Sequence, residues 1–295
     1  MIRIKHYFAM TALIFGVSFF LFSCTEKENP AIQNQTPIKL TNEELKSTLE
    51  NIYDNVSSGP QKVRTVHQLA LLTSYCASVD GLGPISITPA LFNEKEFTLV
   101  TLGGTQNVDG QATSMTESQL ASFGKPNDYL YALVDLFKNG SIPSHKPVIL
   151  TGISLGGMIA QQILGVQQVL DSHKIEAIIT FGSPFTLPIE RKDVKIVRFT
   201  DVCDEVPQMG EMIINKGWVS VEGYSKDELK KEVSKINSNE CIYRKCRYTG
   251  MIAVHALSYV EDPCWNDVDF MGSKSKNNCI ELTKPMKFYP APKRN

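Results

Sequence analysis

With 295 residues, 42% hydrophobic and 21% charged, the chain has the make-up of a globular protein with a sizeable core. Its 30 Lys and Arg against 31 Asp and Glu leave a net charge of −1. There is no basic stripe and no interleaving of basic with aromatic residues, so nucleic acid is not expected as a partner. No internal repeat of about 20–50 residues is apparent, which excludes a solenoid or propeller.

The N-terminus comes first. Arg3 and Lys5 precede an apolar stretch from Tyr7 to Phe22, short for a bilayer span and right for the core of a signal peptide. The stretch ends in Leu21-Phe22-Ser23-Cys24, which resembles a bacterial lipobox. That resemblance implies that residues 1–23 are removed and that the Cys24 thiol takes a diacylglyceryl group. The expected location is then the bacterial cell envelope, at the outer membrane or cell surface, with membrane contact through lipidated Cys24; several acyl chains on one residue anchor firmly. Residues 24–40 read as a flexible tether, polar and without periodicity, and residues 41–295 as the folded domain.

Thr41 and Glu44 have capping-box spacing, opening a helix with Leu45, Leu49 and Ile52 on one face. A second helix is predicted over Lys62–Ser78, a strand over Glu96–Leu102, and a helix over Asn127–Lys138. Pro147 to Leu150 is an apolar, strand-like run, and the residues from Leu155 carry Ile159, Ile163, Val166 and Leu170 at helical spacing. Strands follow at Ala177–Phe181 and Lys195–Thr200, then a helix from Ser225 through Lys235. Alternation of strand and helix from about residue 95 predicts an α/β fold with a mainly parallel central sheet and helices on both faces.

The chemistry sits at Gly152-Ile153-Ser154-Leu155-Gly156-Gly157, between the strand ending near Leu150 and the helix opening at Leu155. A serine in a sharp strand-to-helix turn is a nucleophile elbow: glycines relieve the crowding and the hydroxyl stands clear at a helix N-terminus. Proteins with this elbow order their triad Ser, then Asp or Glu, then His. Of five histidines, only His255 lies far downstream; His6, His67 and His145 precede the serine, and His173 falls near the end of its helix. The acid belongs just past the end of the strand Lys195–Thr200, where Asp201, Asp204 and Glu205 all qualify.

Three blocks resemble the class 3 lipases, the fungal-type branch of the α/β-hydrolases: Val148–Gly157, Thr180-Phe181-Gly182-Ser183-Pro184, and Asp204-Glu205-Val206-Pro207. A fourth, Leu99–Thr105, resembles the strand ending in R-G-T or R-G-S. The resemblance implies the α/β-hydrolase fold and Asp204, the first residue of D-x-V-P, as the triad acid. It also implies Thr105 as an oxyanion-hole donor beside the backbone N–H of Leu155. Ile153 stands where that family has histidine, and Gly103 where it has arginine. The implied activity is hydrolysis of carboxylic esters, with an acyl lipid as the expected substrate and Ser154, Asp204 and His255 as the triad. A non-catalytic surface lipoprotein binding lipid, glycan or protein is the alternative on the same fold. No cofactor and no metal are expected: there is no C-x-x-C pair and no histidine cluster at ligand spacing.

Two segments bear on substrate access. Gln106 to Lys125, where similar lipases carry a lid, has only Met115, Leu120 and Phe123 as large apolar residues. Met209 to Trp218 suits an acyl-groove wall or plain core packing. With so small a greasy face, the expectation is an esterase of short or medium acyl chains rather than an interface-activated lipase. Past Cys24, six cysteines in an exported chain suggest disulfides, and proximity suggests Cys241–Cys246, Cys264–Cys279 and Cys76–Cys203.

Overall fold

The computed structural model describes residues 37–54, 62–78, 83–106, 108–122, 124–184, 186, 193–207, 241–261 and 263–294. The expected signal peptide, Cys24, the segment Met209–Trp218 and the helix expected over Ser225–Lys235 lie outside the described residues.

The chain begins with strand β1 (Ile38–Lys39) and helix α1 (Asn42–Asp54). The expected capping box is formed: Thr41 N–H donates to Glu44 Oε2 at 2.8 Å, and Glu44 N–H donates back to Thr41 Oγ1 at 3.2 Å. β1 lies inside the stretch read as a tether, so the last residues of 24–40 are part of the fold. The second helix, α2, runs over Val66–Ser78 and not from Lys62. Thr65 caps it, taking the Gln68 N–H on its Oγ1 while Gln68 Oε1 accepts from the N–H groups of Thr65 and Arg64. Lys62–Val63 instead form a short strand, β2.

Next comes a hairpin the periodicity did not reveal. β3 (Ile85–Phe92) turns through Asn93 and Glu94, with φ of 47° and 69°, into β4 (Lys95–Leu102). Helices α3 (Met115–Ser122) and α4 (Asp128–Lys138) follow, the latter capped by Asn127, whose side chain accepts from Leu130 N–H. β5 (Val148–Ile153) leads into α5 (Leu155–Gln162). The helical spacing past Gln162 belongs to a 3-10 turn, Ile163–Gly165, and a separate helix α6 (Gln167–Ser172). β6 (Ile175–Phe181), β7 (Lys195–Asp201), β8 (Cys241–Arg244), β9 (Tyr248–Thr249), α7 (Met251–Leu257), β10 (Ile280–Leu282) and β11 (Lys287–Tyr289) complete the described elements.

Nine of these strands form one sheet in the order β2-β10-β3-β4-β5-β6-β7-β8, with β11 also beside β3. From β4 to β8 every pairing is parallel, while β3 and β10 add antiparallel strands at one side. Alternate residues of the parallel strands feed two cores. Val148, Leu150, Ile178 and Ile196 pack with Leu133 of α4 and Ile159 of α5; Ile149, Ala177, Ile179 and Val197 pack with Leu69 of α2 and Leu257 of α7. β5 is buried along its whole length, as a central strand covered on both faces must be. The chain has the α/β-hydrolase fold. Among the described residues, no helix is long and apolar enough to cross a membrane.

Candidate active site

The elbow forms where the glycine pattern puts it. Ser154 has φ 53° and ψ −122°, a backbone conformation that L-residues rarely adopt, and it is only 7% exposed. Its N–H donates to Phe181 O on β6 at 3.0 Å, and its carbonyl accepts from the N–H groups of Gly157 and Met158. The neighbouring glycines are there for contact. A Cβ on Gly152 would lie 2.3 Å from the Gly156 backbone, and one on Gly156 would lie 2.2 Å from Leu102 O. A Cβ on Gly157 would meet the side chain of Ser183 at 2.5 Å.

The end of β4, where the sequence placed an oxyanion-hole donor, passes directly beside the serine. A Cβ on Gly104 would sit 3.3 Å from Ser154 Cβ. Tyr129 of α4, fully buried, holds this strand end by donating to Pro84 O at 2.9 Å and Gly103 O at 3.2 Å. Thr105 follows, half-buried, its hydroxyl 2.6 Å from Ser118 Oγ on α3. Leu155 is the first residue of α5, so its N–H lacks an intrahelical acceptor by construction. The segment where similar lipases carry a lid thus holds a helix, α3, that reaches the oxyanion strand through Ser118 and whose Glu117 accepts from Asp128 N–H.

Asp204 and His255, 51 residues apart, meet at 2.8 Å between Oδ2 and Nδ1. Asp204 is fully buried. Its Oδ1 accepts from Val206 N–H at 3.0 Å, and its Oδ2 also accepts from the Tyr259 hydroxyl at 2.8 Å. A carboxylate accepts, so this pairing suits a donor N–H at Nδ1 and leaves the other ring nitrogen to face away from the acid. His255 lies on α7, whose apolar residues Ala253, Val254 and Leu257 anchor it in the core. Gly182, with φ 54°, completes the corner: a Cβ there would lie 2.7 Å from the Tyr259 ring and 2.9 Å from Asp204 Oδ2.

Asp201, the other acid the strand end offered, faces elsewhere. Its Oδ2 accepts from Ser258 Oγ at 2.6 Å, and its Oδ1 from Cys203 N–H at 2.9 Å and Cys246 N–H at 3.4 Å. Burial pushes its carboxyl up to about 6, against the pull of those hydrogen bonds and with repulsion from Asp204 added. Burial likewise raises Tyr259 well above the ordinary phenol value, with the Asp204 charge as a further cause, so the ring stays neutral. Glu205 is exposed.

The disulfide is Cys246–Cys264, which replaces the expected Cys241–Cys246 and Cys264–Cys279 pairs. Spatial proximity overrides sequence proximity here: Trp265 Nε1 donates to Ser258 O at 2.6 Å and folds the chain after α7 back onto its exit. The bond closes a loop around the whole of α7. The side chain of Cys76, expected against Cys203, is outside the described residues. Among the described residues, no cluster of three or more His, Cys, Asp or Glu could hold a metal ion.

Ser154, the strand end at Gly103–Thr105 and Asp204, with His255 hydrogen-bonded to it from α7, thus lie at the carboxyl ends of parallel strands of one sheet. Residues 106–240 match the family model of the PGAP1-like alpha/beta domain. That family is of α/β-hydrolase type and lipase-like. The PGAP1-like match contains Ser154, Leu155 and Asp204; Thr105 and His255 lie outside it. No curated protein and no solved structure matches the chain.

Tyr259, Ser258, Tyr129 and Ser118 had no signal of their own in the sequence. The signal that could have found Tyr259 is its place four residues after His255, which on a helix exit puts it back beside the histidine.

Proposed function

We propose that the chain is an exported, lipid-anchored serine ester hydrolase of class 3 lipase type. Ser154 Oγ attacks the ester carbonyl as His255 takes its proton. Asp204 holds the imidazole through Nδ1 and stabilises its cationic form. The oxyanion of the tetrahedral intermediate is bound by the N–H groups of Leu155 and Thr105. The C–O bond then breaks, the alcohol leaves with the proton from His255, and an acyl-serine remains. Water attacks that ester with His255 again as base, releasing the acid. One oxyanion donor of this kind is worth about 10²–10³ in rate.

The observation that carries the reading is the 2.8 Å His255–Asp204 bond at the same sheet end as a serine held at φ 53°. The Thr105 hydroxyl pairs with Ser118 Oγ and so ties the strand end to α3. Short or medium acyl esters are the proposed substrates, because α3 brings few large apolar residues to the site. Cys24 would attach the enzyme to the envelope membrane.

The test is labelling by a fluorophosphonate probe together with hydrolysis of p-nitrophenyl esters. The expected result is a covalent adduct on Ser154 and turnover of the esters. Ser154→Ala should lose both, with kcat falling by about 10⁶. A folded wild-type protein that takes no probe would refute the enzyme and leave the non-catalytic lipoprotein.

A further inference from the structure

We propose that Asp201 is a positioning residue for this site: its buried carboxylate fastens the exit of α7 to the strand end that carries Asp204, and so sets the His255–Asp204 hydrogen bond. The proposal rests on the hydrolase reading above and deepens it.

The residues that follow His255 by three and four positions are divided between the two acids. The Ser258 hydroxyl donates a hydrogen bond to Asp201 Oδ2, and the Tyr259 hydroxyl donates one to Asp204 Oδ2. Tyr259 also ties the acids to each other, since its oxygen accepts the Asp201 N–H at 3.1 Å. The turn between the acids is closed by Asp204 N–H donating to Asp201 O at 2.9 Å. On its far side the Asp201 carboxylate takes the N–H of Cys246, whose sulfur is bonded to Cys264 beyond α7. One carboxylate therefore joins the end of β7, the disulfide corner and the α7 exit.

The charge is costly where it stands. Asp201 is fully buried, and its carboxyl is raised from 3.8 to about 6. The groups that face it are Asp204 and the neutral Tyr259; Cys246 is oxidised, and Arg244, opposite on β8, turns its guanidinium to Asp267 at 2.7 Å. No cation compensates it among the described residues around it. A raised native value means the folded state holds this proton more tightly than the unfolded chain. Stability from this group is therefore full below about pH 4 and is lost as pH rises through about 6. The group weakens the fold at neutral pH while accepting three hydrogen bonds around the catalytic helix, which is the pattern of a residue kept for placement.

The experiment follows the downfield proton on His255 Nδ1 by NMR in the full-length protein in detergent, between about pH 5 and 8. Loss of the signal in His255→Gln assigns it. In the wild type its shift carries an inflection at about 6 from Asp201. Asp201→Asn should remove that inflection and lower kcat about ten- to hundredfold with KM unchanged. Ser258→Ala keeps the charge and cuts the link, so kcat should fall comparably. The inflection should then move to higher pH, because the hydroxyl no longer holds the carboxyl down. An unchanged pH course of the resonance in either variant would overturn the proposal. A wild-type protein without turnover or labelling, but with the inflection lost in Asp201→Asn, would support the positioning link and refute the hydrolase.

Discussion

At the elbow, the chain closes on itself through missing side chains: Gly152 and Gly156 let backbone approach backbone, and Gly157 admits the Ser183 side chain, where a methyl group would stand 2.2–2.5 Å from its neighbours. At the histidine corner, closure comes through side chains that are present. Asp204, Tyr259, Asp201 and Ser258 bond across 55–57 residues of sequence, over an aromatic floor in which Tyr259 stacks on Trp265 at 5.8 Å and Phe181 on Phe199 at 5.5 Å. The first construction stores strain in one residue. The second stores hydrogen bonds in buried groups. Removing the Ser154 side chain or the Tyr259 hydroxyl should therefore lower activity in both cases and change stability in opposite directions.

Within the histidine corner, the largest expected effect is on the acid. Asp204→Asn should lower kcat about 10⁴-fold, because the amide favours the wrong imidazole tautomer while Val206 N–H and Tyr259 keep its place. Steady-state hydrolysis of a p-nitrophenyl ester measures it. Asp201→Asn should cost far less; the reverse order would show that the two acids have been assigned the wrong way round.

The same contrast explains what the sequence disclosed. The elbow is local, and its glycines, the strand before it and the helix after it occupy consecutive residues, so Ser154 and Leu155 were legible from spacing. The mainly parallel sheet covered on both faces was legible from alternation, and the start of α1 from the capping chemistry of Thr41 and Glu44. His255 was reached by elimination, and Asp204 only by resemblance, since Asp201, Asp204 and Glu205 are equivalent until the chain is folded. Tyr259 and Ser258 were not legible, because their partners are more than 50 residues away and nothing local requires a hydroxyl there. The disulfide was misread for the same reason: Cys241 is nearer Cys246 in sequence, but β8 carries Cys241 into the sheet beside Arg198 while the chain after α7 returns Cys264 to Cys246. The β3–β4 hairpin was missed because β3 is buried on most of its residues and lacks an alternating pattern; Asn93 at its turn was the one local cue.

Next in size is the disulfide. Its 18-residue separation corresponds to about 3 kcal/mol of stability in the loop-closure account. Cys246→Ser with Cys264→Ser should lower the free energy of unfolding in urea by about that amount. Activity should vanish at lower urea than the helical signal, since the loop released is the one that carries His255. Coincident loss of both would mean that the corner and the sheet unfold as one unit.

Tyr259→Phe is smaller. It keeps the ring on Trp265 but withdraws a donor from Asp204 and an acceptor from the Asp201 N–H, both buried. Leaving such a group unsatisfied costs about 1–3 kcal/mol, so the melting temperature should fall measurably. Activity should fall modestly, because His255 and Val206 still hold Asp204. A variant as stable as the wild type would show that the hydroxyl bridges nothing of consequence.

The smallest effect has the opposite sign, and it separates the two constructions. Ser154→Gly should inactivate the enzyme and stabilise it. The serine holds φ 53° and ψ −122°, and strain of this kind costs about 1–3 kcal/mol. Glycine enters this region freely but loses more chain entropy on folding, about 0.5–1 kcal/mol. The difference leaves a net gain of about 1 kcal/mol. Ser154→Ala retains the Cβ and the strain and should melt close to the wild type. Comparing the two variants by urea denaturation isolates the backbone term, since both lack the hydroxyl. If Ser154→Gly is no more stable than Ser154→Ala, the elbow stores no strain, and the contrast with the histidine corner reduces to one of glycine packing.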